Sequence, residues 1–115
     1  MKHNKVLELS MEFAVDALKF CESIKDHYAI RSQFERSATS IGANIHEANY
    51  AQSLPDFISK LQIALKECYE SEYRLAIFRR SGITDPDSVD PLEQTAGSIR
   101  RMLIASINTA KSKTG

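Results

Sequence analysis

Residues 30–51 read IRSQFERSATSIGANIHEANYA. Ile30, Phe34, Ala38, Ile41, Ile45 and Ala48 recur every three or four positions, which puts them on one face of a helix running from about Ile30 to Ala51. A polar line runs beside this apolar one: Ser37, Ser40, Asn44 and Glu47. Its small members let another helix come close. Gly42 lies mid-helix on the side opposite Ser40, where glycine costs about 1 kcal/mol relative to alanine.

Working outward, three more helical periods flank this one. Towards the N-terminus, Val6, Leu9, Phe13, Ala17, Phe20 and Ile24 form one face of a helix from about Lys5 to Ile24. A second apolar stripe, Leu7, Met11, Ala14, Leu18 and Cys21, lies roughly 100° round from it. Two readings stand for this pair: one wide buried face, or a second face against another subunit. Asp26-His27-Tyr28 breaks the pattern between the first two helices. On the C-terminal side, Ser53 is an N-cap candidate, with Pro55 in the first turn and Asp56 complementing the helix dipole. The apolar face that follows is Phe57, Ile58, Leu61, Leu65, Cys68, Leu75 and Ala76. Arg79 and Arg80 close this helix and Gly82 is its C-cap candidate. Residues 84–91, TDPDSVDP, read as a linker with turns. The last period holds Leu92, Ala96, Ile99, Leu103, Ile107 and Ala110, and the tail from Lys111 onward is expected to fray.

Short connections make consecutive helices antiparallel neighbours, so the expected fold is all-α, an up-down-up-down four-helix bundle. The 115 residues are too few for a second core, and residues 1–115 are read as a single domain. Fifteen basic and fifteen acidic residues give a net charge of zero, against a uniformly basic nucleic-acid binder and against an acidic disordered chain. Only four glycines and three prolines occur, which disfavours a turn-rich β-sandwich. The start, Met1-Lys2-His3-Asn4, carries no apolar signal region, and no stretch approaches the ~18 apolar residues of a membrane span. The expectation is a cytoplasmic protein without a membrane partner.

Motifs that carry chemistry are sparse. The two cysteines, Cys21 and Cys68, form no C-x-x-C pair and fall on apolar stripes. None of His3, His27 and His46 follows a glutamate by three, as a di-iron bundle would require. The glycines never cluster into a phosphate loop, and there is no G-x-S-x-G elbow. No metal, no cofactor and no catalytic residue is expected, and the chain is read as a non-enzyme.

Two features ask for partners. By angle, Glu72 falls on the apolar face of the third helix, where an isolated carboxylate is costly. Arg36, Ser37, Ser40 and Asn44 are the expected partners, with Glu47 flanking, in a buried polar network that fixes helix register. A ligand-binding or enzymatic carboxylate is the alternative reading of Glu72. The second feature is uneven charge: residues 85–93 hold four acids and no base, and residues 97–115 hold four bases and no acid. Helix-dipole complementarity accounts for the ends but less well for Arg100-Arg101 in mid-helix. With Arg79 and Arg80 these form a candidate phosphate-binding surface.

The run Arg36-Ser37-Ala38-Thr39-Ser40-Ile41-Gly42-Ala43-Asn44-Ile45-His46-Glu47-Ala48 resembles a signature of bacterial four-helix proteins first met as reading frames within 23S rRNA intervening sequences. A second run is similar to that family's other motif. It comprises Asp56-Phe57-Ile58, Leu61 through Glu67, and Glu70-Ser71-Glu72-Tyr73-Arg74-Leu75. The likeness spans roughly Val6 to Ile107. Arg74 departs from it, standing where relatives often carry a large apolar or aromatic residue. The resemblance implies a four-helix bundle, commonly a ring-shaped homopentamer, and no established catalysis. It therefore suggests an oligomeric scaffold that binds RNA or a ribonucleoprotein. Some relatives are accessory proteins of diversity-generating retroelement reverse transcriptases; these are more basic than this chain, and that role is the alternative. A chain of this size buries only about two-thirds of its unfolded surface as a monomer. Leu7, Met11 and Leu18 on the second stripe are the expected oligomer interface.

Overall fold

Where helix signals start and stop decides the architecture. The computed structural model describes residues 4–113, and everything regular in it is helix: α1 (Asn4–Glu22), α2 (Tyr28–Ala48), α3 (Leu54–Ser81) and α4 (Pro86–Ser112). The tail expected to fray from Lys111 stays helical through Ser112, and Thr114 and Gly115 lie outside the described residues.

The chain leaves α1 through a tight turn, with Ser23 and Ile24 donating backbone hydrogen bonds to Phe20 and Cys21. His27 then takes the left-handed conformation (φ 63°, ψ 47°) and reverses the chain into α2. The Arg31 guanidinium donates to the Ile24 carbonyl and seals this corner. Tyr28, read as part of the break, is the first residue of α2. At its other end α2 stops at Ala48, three residues short of the expected Ala51. The Asn49 N–H reaches back to the Ile45 and His46 carbonyls, and Tyr50 and Ala51 bond three residues back. Ser53 is extended and its hydroxyl accepts from the Asp56 N–H at 3.2 Å, as an N-cap should. Gly82 ends α3 at φ 77°, a backbone angle that penalises any side chain.

The supposed linker 84–91 is mostly helix, and this corrects the sequence reading. Asp85 is the N-cap, its carboxylate accepting from the Asp87 N–H at 3.0 Å. Pro86 occupies the first helical position, where a missing N–H costs nothing. Val89 is fully buried and anchors the new turns to the core. Pro91 is carried inside the helix at the loss of one ladder bond.

α1 packs on α2 and α4, and α3 packs on the same two, so the helices stand at the corners of a square. Side-chain contacts run in opposite directions along consecutive helices. Glu47 meets Lys60 while Ser37 meets Ser71, and Arg79 meets Glu93 while Glu72 meets Arg100. Four phenylalanines tie three helices together edge to face. Phe34 lies 6.3 Å from Phe13, 6.0 Å from Phe20 and 5.6 Å from Phe78, and Phe20 lies 5.2 Å from Phe78. The expected core lines of α2 and α4 are buried throughout, apart from half-buried Ile30. In α1 the two stripes part company. Val6, Phe13, Ala17, Phe20 and Ile24 go inside with Leu9 half-buried, whereas on the second stripe Met11 and Leu18 stay out, Leu7 and Ala14 are half-buried and Cys21 is buried.

Candidate interaction surfaces

Glu72 sits at the seam between α3 and α4. Its two carboxylate oxygens accept from the Arg100 Nε at 3.1 and 3.2 Å, with both side chains about one-third exposed. The expected network around Glu72 is therefore not formed, and the reason is rotational. Glu72 lies on the edge of the α3 core face that meets α4, whereas Arg36 approaches the opposite edge. Arg36 donates to Glu67 at 3.3 Å and to Glu70 at 3.0 Å. Burial is the largest single influence on the Glu70 carboxyl and pushes its pKa up, but the hydrogen bonds and charges of Arg36 and Arg74 together outweigh it and hold the carboxyl below its ordinary range.

The remaining members of the expected network each find another partner. Ser37 and Ser71 are both fully buried. The Ser71 hydroxyl donates to that of Ser37 at 2.9 Å, and Ser37 donates to the Phe34 carbonyl. Ser40 donates to the Arg36 carbonyl, and the Asn44 amide donates to the Ser40 carbonyl at 2.8 Å. Glu47 pairs with Lys60 at 3.3 Å. The register between α2 and α3 is thus held by one buried serine pair flanked by surface ion pairs. Ser71 went unnoticed in the sequence although it shares a face with Cys68 and Leu75, because a lone serine gives no signal of its partner.

The four arginines proposed for phosphate divide into two kinds. Arg79 is clamped by Asp90 and by Glu93, the latter at 2.6 Å. Arg100 is held by Glu72. Arg80 is exposed and makes no ion pair among the described residues, and Arg101 donates only to the Ser98 hydroxyl at 3.3 Å. The acidic run at 85–93 thus contributes carboxylates to the Arg79 clamp as well as capping α4.

The second stripe of α1 forms one wall of an apolar groove of about 520 Å³ whose other wall is α2. Leu7 is half-buried, and Met11 and Leu18 are 63% and 42% exposed. Thr39, Gly42 and Ala43 line the α2 side. Gly42 has a reason to be glycine here, because a Cβ at this position would stand 3.0 Å from the Ser10 hydroxyl. Both cysteines are buried in the interior. Burial, reinforced by Glu35 beside Cys21 and by Glu72 beside Cys68, pushes each thiol up to about 12 from an ordinary 9.0. Neither is a nucleophile at neutral pH.

With these surfaces described, the comparisons can be placed on them. The sequence profile of the 23S rRNA-intervening sequence proteins matches residues 2–105. The chain belongs to this family. A solved member of the S23 ribosomal protein family from Bacteroides thetaiotaomicron, described as a protein with unknown function, is 39% identical. The match covers 94% of this chain and 99% of that one, with a TM-score of 0.89. No curated protein sequence matches the chain. The 23S rRNA-intervening sequence fold is therefore a four-helix bundle in both chains. Neither the family description nor the solved relative brings a known catalytic activity. Among the described residues no helix is long and apolar enough to cross a membrane.

Proposed function

We propose that this family member is a non-catalytic homo-oligomeric scaffold that binds RNA or a ribonucleoprotein. The observation that carries the reading is the groove between α1 and α2. Met11, Val15 and Leu18 stand in water on one face, although the same helix buries Val6, Phe13, Ala17 and Phe20 on another. Exposed large apolar side chains in a contiguous line mark an interaction surface. A second copy of the chain is the occupant favoured by the family likeness, with five copies the expected number. Static light scattering at micromolar concentration is the test. A mass several times 12.9 kDa is expected, falling to the monomer in a Met11→Lys, Leu18→Lys variant. A wild-type mass of 12.9 kDa would remove the reading.

The RNA component rests on Arg80 and Arg101, whose guanidinium groups no carboxylate neutralises among the described residues. Assembly would multiply them by the number of copies, which offsets the zero net charge of the chain. Binding of a structured RNA should weaken steeply between low and moderate salt, because phosphate contacts release counterions. Arg80→Ala, Arg101→Ala should weaken it further and flatten the salt dependence. RNA affinity unchanged in that variant would take the phosphate contact away from Arg80 and Arg101, and absence of RNA binding at low salt would leave the scaffold with protein partners alone.

A further inference from the structure

The outward ridge of α3 reads Gln62, Lys66, Tyr69, Tyr73, Ile77, Arg80, with successive spacings of three or four residues. These positions lie opposite the buried line Leu61, Ala64, Cys68, Leu75. Tyr69 and Tyr73 are 50% and 69% exposed, and Lys66 and Arg80 at either side are exposed as well. No acid stands on the ridge. The carboxylates that flank it are each held by an arginine: Glu67 by Arg36, Glu70 by Arg36 and Arg74, Glu72 by Arg100. No ion pair holds Lys66 or Arg80 among the described residues. On the ridge the two tyrosines thus lie between two cations, Lys66 before them and Arg80 after them. Tyr73 and Arg80 also border a shallow hollow of about 290 Å³, floored by Ala76 and Ile77.

We propose that this ridge is a stacking platform for single-stranded nucleic acid. The proposal rests on the RNA reading above and gives it a site and a substrate class. Four residues separate the tyrosines, about 6 Å along the helix, so two rings one turn apart can each take a base from one extended strand. Lys66 and Arg80, about 21 Å apart on the same ridge, meet the phosphates before and after the stacked bases. A duplex keeps its bases stacked on each other and offers the rings nothing. Base stacking on an aromatic side chain is insensitive to sequence, so the platform should be as well.

The chain has four tyrosines and no tryptophan, so quenching of its intrinsic fluorescence reports on Tyr69 and Tyr73 together with Tyr28 and Tyr50, and the affinities of wild type and variants are read from the anisotropy of end-labelled nucleic acid. The intact protein is titrated with a 15-nucleotide uridine strand, with a 15-base-pair RNA duplex and with a structured RNA containing loops. The variants are Tyr69→Ala, Tyr73→Ala and Tyr69→Phe, Tyr73→Phe. The platform requires quenching by the single strand, weaker binding of the duplex, and a loss of about tenfold or more in the alanine variant. The phenylalanine variant should stay near wild type, because stacking needs the ring and not the hydroxyl. Single-strand affinity unchanged in the alanine variant, with structured RNA still bound, overturns the platform and leaves the RNA reading standing. Absence of binding to all three nucleic acids at low salt overturns both. A change in scattering mass in the alanine variant, without any change in RNA binding, assigns the ridge to subunit contact and overturns the platform.

Discussion

Glu72 shows how far a single residue can be read from its position. Helical angle puts it on a face lined by leucines, which implies a carboxylate in need of partners; within a buried network, its removal would cost roughly 3–5 kcal/mol by stranding a partner such as Arg36. The structure puts it at the edge of that face, about one-third exposed and paired with Arg100. Glu72→Ala should therefore cost about 1 kcal/mol, within the range of part-exposed ion pairs, and Glu72→Gln less. Denaturant melts of both variants check this; a loss above 3 kcal/mol would mean that Arg100 cannot relax into water. An angle on a helical wheel resolves core from surface but not the boundary between them, and it does not say which neighbouring helix meets which edge. The same limit separated Ser71 from Ser37. The cysteines were the easier reading, because apolar neighbours at helical spacing are enough to bury a thiol. Their raised pKa has a definite sign: folding holds the proton on, so this contribution to stability is complete below pH 9.0 and is lost as pH rises towards about 12. Both thiols should resist a thiol reagent at pH 8 in the native protein and react at once in denaturant.

At the level of helices, periodicity revealed all four, while punctuation misled at two boundaries. Proline and aspartate at 85–91 carry the composition of a loop, yet Asp85 is a cap and Pro86 a first-turn residue, so the same letters begin a helix. What the letters lacked was the burial of Val89, which is a tertiary fact. Pro91 remains a weak point of α4, lacking one ladder bond and crowding the carbonyl four residues before it. Pro91→Ala should raise stability by about 1–2 kcal/mol, the helix gain being partly offset by a more flexible unfolded chain. A lower melting temperature in that variant would mean that the proline shapes a bend the bundle needs. Gly42 makes the opposite case. Alanine is the better helix former by about 1 kcal/mol, but its methyl group would press on Ser10, whose hydroxyl is tied to the Leu7 carbonyl at 2.7 Å. Gly42→Ala should lower the melting temperature. Adding Ser10→Ala should recover the loss, because the atom in the way is then gone.

For the whole molecule, the bundle followed from four amphipathic periods and short connections, whereas the way copies meet did not. One chain's pattern shows which residues are apolar; it leaves open whether a second stripe widens the core or faces outward. Here Met11 and Leu18 face outward. If that face associates, melting temperature should rise with protein concentration, since association stabilises only the folded chain. The Met11→Lys, Leu18→Lys variant should melt at one temperature at all concentrations, and a concentration-independent wild type would contradict the assembly. The protomer itself is a rod, 48 Å long and about 20 Å across. Its helices run antiparallel along that length, so nearly every amide N–H bond points up or down one axis. A dipolar coupling depends on the square of the cosine to the field and does not distinguish up from down. In a weakly aligned sample the helical amides should therefore share one sign and similar size of residual coupling, and the three corners at 23–27, 49–53 and 82–85 should scatter away from it.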